Sequence, residues 1–121
     1  MSIITKTAKT AKADYEILVT LKNGYPVPRV PDNMKVGETV HYKTNSRTDQ
    51  KADLVEIEFL DNGSPYLNPD GSRKTTVTSE DPPLQLQRRG IFFARCYITH
   101  DGVRYGWGPL YPLAGGNHDV Q

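Results

Sequence analysis

The chain has 121 residues and a formal net charge of +1. That is one domain's length, enough to close a core without disulfides or metal, and it carries no global field to draw in nucleic acid or an anionic membrane. Nine prolines and ten glycines interrupt it at close intervals, which favours short strands and turns over long helices. Cys96 is the single cysteine, so no intrachain disulfide is possible and nothing points to a bridge-stapled secreted scaffold.

The first segment, Met1-Ser2-Ile3-Ile4-Thr5-Lys6, lacks an apolar h-region, and no run reaches transmembrane length. A cytoplasmic location is therefore expected, unless an export signal was removed. Lys6, Lys9 and Lys12 account for three of the fifteen basic residues, and the remainder is slightly acidic, a further argument against a nucleic-acid module. Residues 1–13 have no apolar face and are expected to form a mobile tail before a single β-sandwich domain over residues 14–121.

Tyr15 to Leu21 alternates, with Tyr15, Ile17, Val19 and Leu21 on one face, and Asn23-Gly24 ends the strand. The run Tyr25-Pro26-Val27-Pro28-Arg29-Val30-Pro31 cannot be a central strand, because proline donates no ladder hydrogen bond, so it is placed at an edge. Thr39 to Thr44 directs Val40 and Tyr42 inward and His41 outward. Leu54 to Leu60 directs Val55, Ile57 and Phe59 to one face and Glu56 and Glu58 to the other, so one side of this strand meets water. Asp61 to Lys74 is rich in turn residues, including Asn68-Pro69-Asp70-Gly71, an apt type I turn. Short strands are expected over Thr75–Thr78 and Leu84–Gln87, and a brief edge strand over Asn117–Gln121.

The best-specified element runs from Gly90 to Trp107. Its Asp101-Gly102 pair supplies the positive φ of a primed two-residue turn. That turn sets His100 against Val103, Ile98 against Tyr105 and Cys96 against Trp107. Opposed residues share a face, so Phe92, Ala94, Cys96, Ile98, Val103, Tyr105 and Trp107 are expected to form one apolar surface. Phe93, Arg95, Tyr97, Thr99 and Arg104 occupy the other. About seven to nine short strands with frequent turns make an all-β, two-sheet antiparallel Greek-key sandwich, cupredoxin-like or immunoglobulin-like.

Two stretches carry a family resemblance. Met34-Lys35-Val36-Gly37-Glu38-Thr39-Val40-His41-Tyr42 resembles the V-x-x-G-[DE]-x-V-x-[FY] pattern of the cupredoxin-like sandwiches, the group of plastocyanin and azurin. Gly90-Ile91-Phe92-Phe93-Ala94-Arg95-Cys96 is similar to that family's glycine-to-cysteine spacing. The resemblance implies a type 1 copper site of one cysteine thiolate and two histidines, usually with a weak methionine. Cys96 matches the cysteine. The position of the first histidine, just before the Val55 strand, reads Ala52-Asp53-Leu54; His100 is the only candidate for the second, and no methionine follows Cys96. On an unbroken strand Cys96 and His100 are about 13 Å apart, too far to share one metal unless the strand breaks at Tyr97.

Other groupings are better read as structure. Cys96 as a nucleophile needs a base and an electropositive setting, whereas its expected neighbours Phe92, Ala94, Ile98 and Trp107 would bury it. His41, His100 and His118 have no partners at metal spacing and are expected to be exposed. Asp61, Asn62, Asn68 and Asp70 suit turn chemistry better than calcium. Arg88, Arg89, Arg95 and Arg104 fall in the last third and suit either anion recognition or solvated strand edges. Phe93, Arg95 and Tyr97 either present an interaction face or lie beneath Leu110, Tyr111 and Leu113.

The expected function is a non-enzymatic binding or assembly module on a cupredoxin-like sandwich without a working metal site. Its partner is another protein or a second copy, contacted through the Phe93, Arg95 and Tyr97 face, with no catalytic set, no cofactor, no nucleic acid and no membrane. The alternative is a copper-binding or electron-transfer protein using Cys96 and His100.

Overall fold

Asn23-Gly24 and Asp101-Gly102 have positive φ at both positions, 53° and 81° in the first and 50° and 79° in the second. Those are type I′ turns, whose twist matches that of the strands they join. In the computed structural model, which describes residues 12–44, 54–60, 63–106 and 117–121, they close two hairpins. The first joins β1 (Tyr15–Lys22) to β2 (Tyr25–Pro28), and the second joins β7 (Gly90–His100) to β8 (Val103–Gly106). Between them lie β3 (Thr39–Thr44), β4 (Leu54–Phe59), β5 (Thr76–Thr78) and β6 (Leu84–Gln85), and β9 (Asn117–Val120) ends the series.

The described residues contain no helix. One sheet has the order β2-β1-β3-β6; the other has the order β5-β4-β7-β8, with β9 also on β7. The protein is thus all-β, a two-sheet sandwich. One pairing departs from the expected antiparallel pattern: β1 and β3 run parallel, with Ile17 opposite Tyr42. After the first hairpin the chain crosses to the second sheet before returning. There Met34 bridges Val120 in parallel, with Gln121 N–H donating to Met34 O at 2.7 Å and Val36 N–H to Gln121 O at 3.0 Å. A parallel neighbour needs such a crossover, whereas the two-residue hairpins give antiparallel ones.

β2 lies at an edge, as its prolines require. Arg29 N–H donates to Leu18 O, and with Thr20 opposite Val27 the alternation of the ladder turns the Val27 and Tyr25 amides toward β1. Pro26 and Pro28 therefore direct their nitrogens to the outer rim, where no donor is needed.

The core follows the period-2 patterns of the sequence. Ile17 and Val19 of β1, Val40 and Tyr42 of β3, Val55, Ile57 and Phe59 of β4, and Phe92, Ala94, Cys96 and Ile98 of β7 are all buried between the sheets. Glu58 and Arg95 point outward and are exposed. The Asp101-Gly102 register holds, with His100 opposite Val103 and Ile98 opposite Tyr105. The expected burial of Val103 does not hold: it is 50 % exposed. Pairing assigns Val103 to the inner face, yet at the tip of the hairpin that assignment does not bring burial. Tyr105 is half-buried, and Trp107 lies outside the described residues, as do residues 1–11 of the expected tail.

Candidate functional site

The outer face of the second sheet is built from cross-strand pairs. On β4, Glu58 stands opposite Arg95 and Glu56 opposite Tyr97. On β8, Gly106 stands opposite Tyr97 and Arg104 opposite Thr99. The Tyr97 ring lies across Gly106: a Cβ added there would sit 2.4 Å from ring carbon Cδ1. Above the ring the Arg104 guanidinium stacks 3.8 Å from the centroid, and its Nε donates to Glu56 Oε1 at 3.1 Å. A cation over an aromatic face is favourable, and glycine leaves space that a facing aromatic fills. Tyr97 is therefore half-buried within its own sheet, fixed from below by a missing side chain and from above by an ion-paired arginine.

Gly106→Ala should cost about 1–3 kcal/mol of stability by driving the ring off its seat. The same substitution in a Tyr97→Ala background should cost little, and a double-mutant cycle by urea unfolding reads the difference. Equal costs in both backgrounds would show that the close approach carries no energy.

Arg95 extends from the same face, exposed, and makes no hydrogen bond or ion pair among the described residues even though Glu58 faces it. Phe93 is half-buried opposite Asn117 of β9. The segment considered as its cover, Leu110, Tyr111 and Leu113, lies outside the described residues.

The inner face of β7 has different chemistry. Cys96 is fully buried opposite Ile57, and burial pushes its thiol up to about 12. At neutral pH it is a protonated thiol, neither a nucleophile nor a ready metal ligand. β7 continues unbroken through Tyr97 to His100, so Cys96 and His100 stay four residues apart on one strand. The His100 ring has Nε2 3.3 Å from Asp101 Oδ2. These two residues do not converge, and the copper set implied by the resemblance does not fit them. Among the described residues no three His, Cys, Asp or Glu side chains group closely enough to hold a metal ion.

His118 is the clearest correction to the expectation of exposed histidines: it is completely buried on β9. Its Nε2 lies 2.9 Å from Tyr42 Oη, which in turn lies 2.7 Å from Tyr66 Oη. Phe59 packs edge-on against both the His118 and Tyr66 rings, at 5.1 and 5.8 Å between centroids. This chain of hydroxyls and imidazole ties β3, the 63–66 segment and β9 together across the core. Burial raises the ionisation of both tyrosines well above the usual phenol range, so both hydroxyls keep their protons and remain available as donors. Tyr66 was hidden from periodicity in a turn-rich stretch. The signal for His118 was its place two residues before Val120, which puts both on one face of a strand.

The remaining groupings are resolved by local bonds. His41 Nδ1 contacts Glu16 Oε2 at 2.9 Å on the outer face of the first sheet. Asp70 accepts from both the amide and the hydroxyl of Ser72, as turn chemistry requires; Asp61 and Asn62 lie outside the described residues. The four arginines of the last third do not form one patch: Arg95 and Arg104 face outward on β7 and β8, whereas Arg88 donates to Ser64 O at 2.9 Å. No helix among the described residues is long and apolar enough to cross a membrane. Comparison of the chain with family models, with curated proteins and with solved structures gave no significant match.

Proposed function

We propose that this protein is a non-enzymatic binding or assembly module, a cupredoxin-like sandwich without a working metal site, whose contact face is the outer surface of β4, β7 and β8. The observation that supports this reading is the pairing of a fixed aromatic with a cation that has no partner among the described residues. Tyr97 is immobilised between Gly106 and Arg104, so little side-chain entropy remains to be lost on contact. Arg95, beside it, has no bond among the described residues to give up. Tyrosine and arginine are the types that dominate interface energetics, and Phe93 extends the same face. The partner is a second copy of this chain or another protein with an apolar, acidic-rimmed patch.

Sedimentation of the wild type and of Arg95→Glu tests the self-association form. Arg95 makes no hydrogen bond or ion pair among the described residues, so the reversal should cost only about 0.2–1 kcal/mol, from setting two carboxylates opposite each other at Glu58, while shifting a dimer to monomer. A wild type that stays monomeric at high concentration removes self-association and leaves only a foreign protein partner. A dimer insensitive to both Arg95→Glu and Tyr97→Asp places the interface elsewhere.

A further inference from the structure

Two arginines from distant parts of the sequence meet at Gly63. This residue has φ of +80° and its N–H donates to Leu60 O at 2.7 Å. A Cβ added to it would lie 2.8 Å from Arg73 Cδ, 3.2 Å from Arg73 Nη1 and 3.2 Å from Arg88 Nη1. The two Nη1 atoms, each that close to a common point, lie within about twice that distance of each other, and only a residue without a side chain admits both.

The two guanidiniums are held differently. Arg88 is half-buried; its Nη1 donates to Ser64 O at 2.9 Å, and the group covers the Phe92 ring at 5.3 Å from the centroid. That leaves the rest of its planar fork oriented and available. Arg73 is exposed, and its backbone forms an isolated bridge with Leu67. Neither arginine forms an ion pair among the described residues. Among the described residues, Asp70 is engaged by Ser72 and Asp81 by Lys74 and the Thr78 amide. Two like charges set side by side repel, and a shared anion relieves that repulsion. Guanidinium pairs suit planar or tetrahedral oxyanions, which accept at about 2.8 Å from each fork.

We propose that Arg73 and Arg88, brought together over the bare Cα of Gly63, bind a small oxyanion, a carboxylate or a phosphate. The site uses none of the outer-face residues and stands independently of the reading above.

The test follows the arginine Nε–H signals by nitrogen–proton NMR while sodium phosphate, and separately sodium acetate, is added to the whole protein. Sodium chloride at matched ionic strength is the control. The Arg73 and Arg88 signals should shift saturably with phosphate, acetate or both, and the two arms identify which oxyanion is preferred. Arg73→Gln should weaken that binding about fivefold or more, the loss of one charge-assisted contact, while Arg89→Gln, at an exposed neighbour, should not. Arg88→Gln is the second variant; should it destabilise the fold, Arg73→Gln decides alone, because the Arg73 side chain makes no hydrogen bond among the described residues. Shifts that are linear, or equal in chloride, overturn the proposal, as does an Arg73→Gln protein that binds like the wild type.

Discussion

Raising the pH from 9 toward 12 should strip this protein of several kcal/mol of stability, with Cys96 a principal cause. Its thiol ionises near 9 when free and only at about 12 when folded. In that window the unfolded chain sheds the proton and the native state keeps it. A group held protonated by the fold contributes its full stability below the unfolded value, and this is lost as pH climbs to the folded one. At about 1.4 kcal/mol for each unit, the full displacement amounts to about 4 kcal/mol. Tyr42 and Tyr66 act in the same direction from a higher starting point, since burial raises both. Urea unfolding at stepped pH should show a midpoint that falls across the window, with a shallower fall in Cys96→Ala. Tyrosinate absorbance gives a second readout. Of the seven tyrosines, Tyr42 and Tyr66 should ionise only together with unfolding. A midpoint flat to pH 11, or an identical slope in Cys96→Ala, would mean that the thiol is not shielded by the native state.

The second large effect belongs to Tyr42→Phe. The Tyr42 hydroxyl is the middle of the buried chain, within hydrogen-bond distance of both Tyr66 Oη and His118 Nε2. Its removal takes a bond from each of two buried groups while leaving ring volume unchanged, and the expected cost is about 2–4 kcal/mol. Tyr66→Phe removes an end of the chain and a single bond, so about 1–2 kcal/mol is expected. Equilibrium unfolding of the two variants decides it through their order. If Tyr66→Phe costs as much as Tyr42→Phe, the central hydroxyl is not the shared link.

Where one local rule decides, the fold was readable before any coordinates. Asp101-Gly102 fixes a two-residue loop, and the loop fixes every pair along β7 and β8, including Tyr97 opposite Gly106. The outer-face seat was therefore implicit in the register, although the stacking of Arg104 on the ring was not. Val103 is exposed because register assigns a face and does not by itself assign burial. The parallel β1–β3 pair failed because the choice between neighbours depends on a crossover that no dipeptide encodes. His118 looked like a surface residue in a polar terminal segment, yet Val120 beside it already marked the inward positions. Arg73 and Arg88 meet at Gly63, and their separation along the chain leaves no periodic trace.

The arrangement of β2 also limits how copies of this molecule can meet. Because Pro26 and Pro28 occupy the outward positions, a strand laid alongside would find no N–H at either residue with which to continue a ladder. Main-chain propagation from molecule to molecule through β2 stalls at this rim.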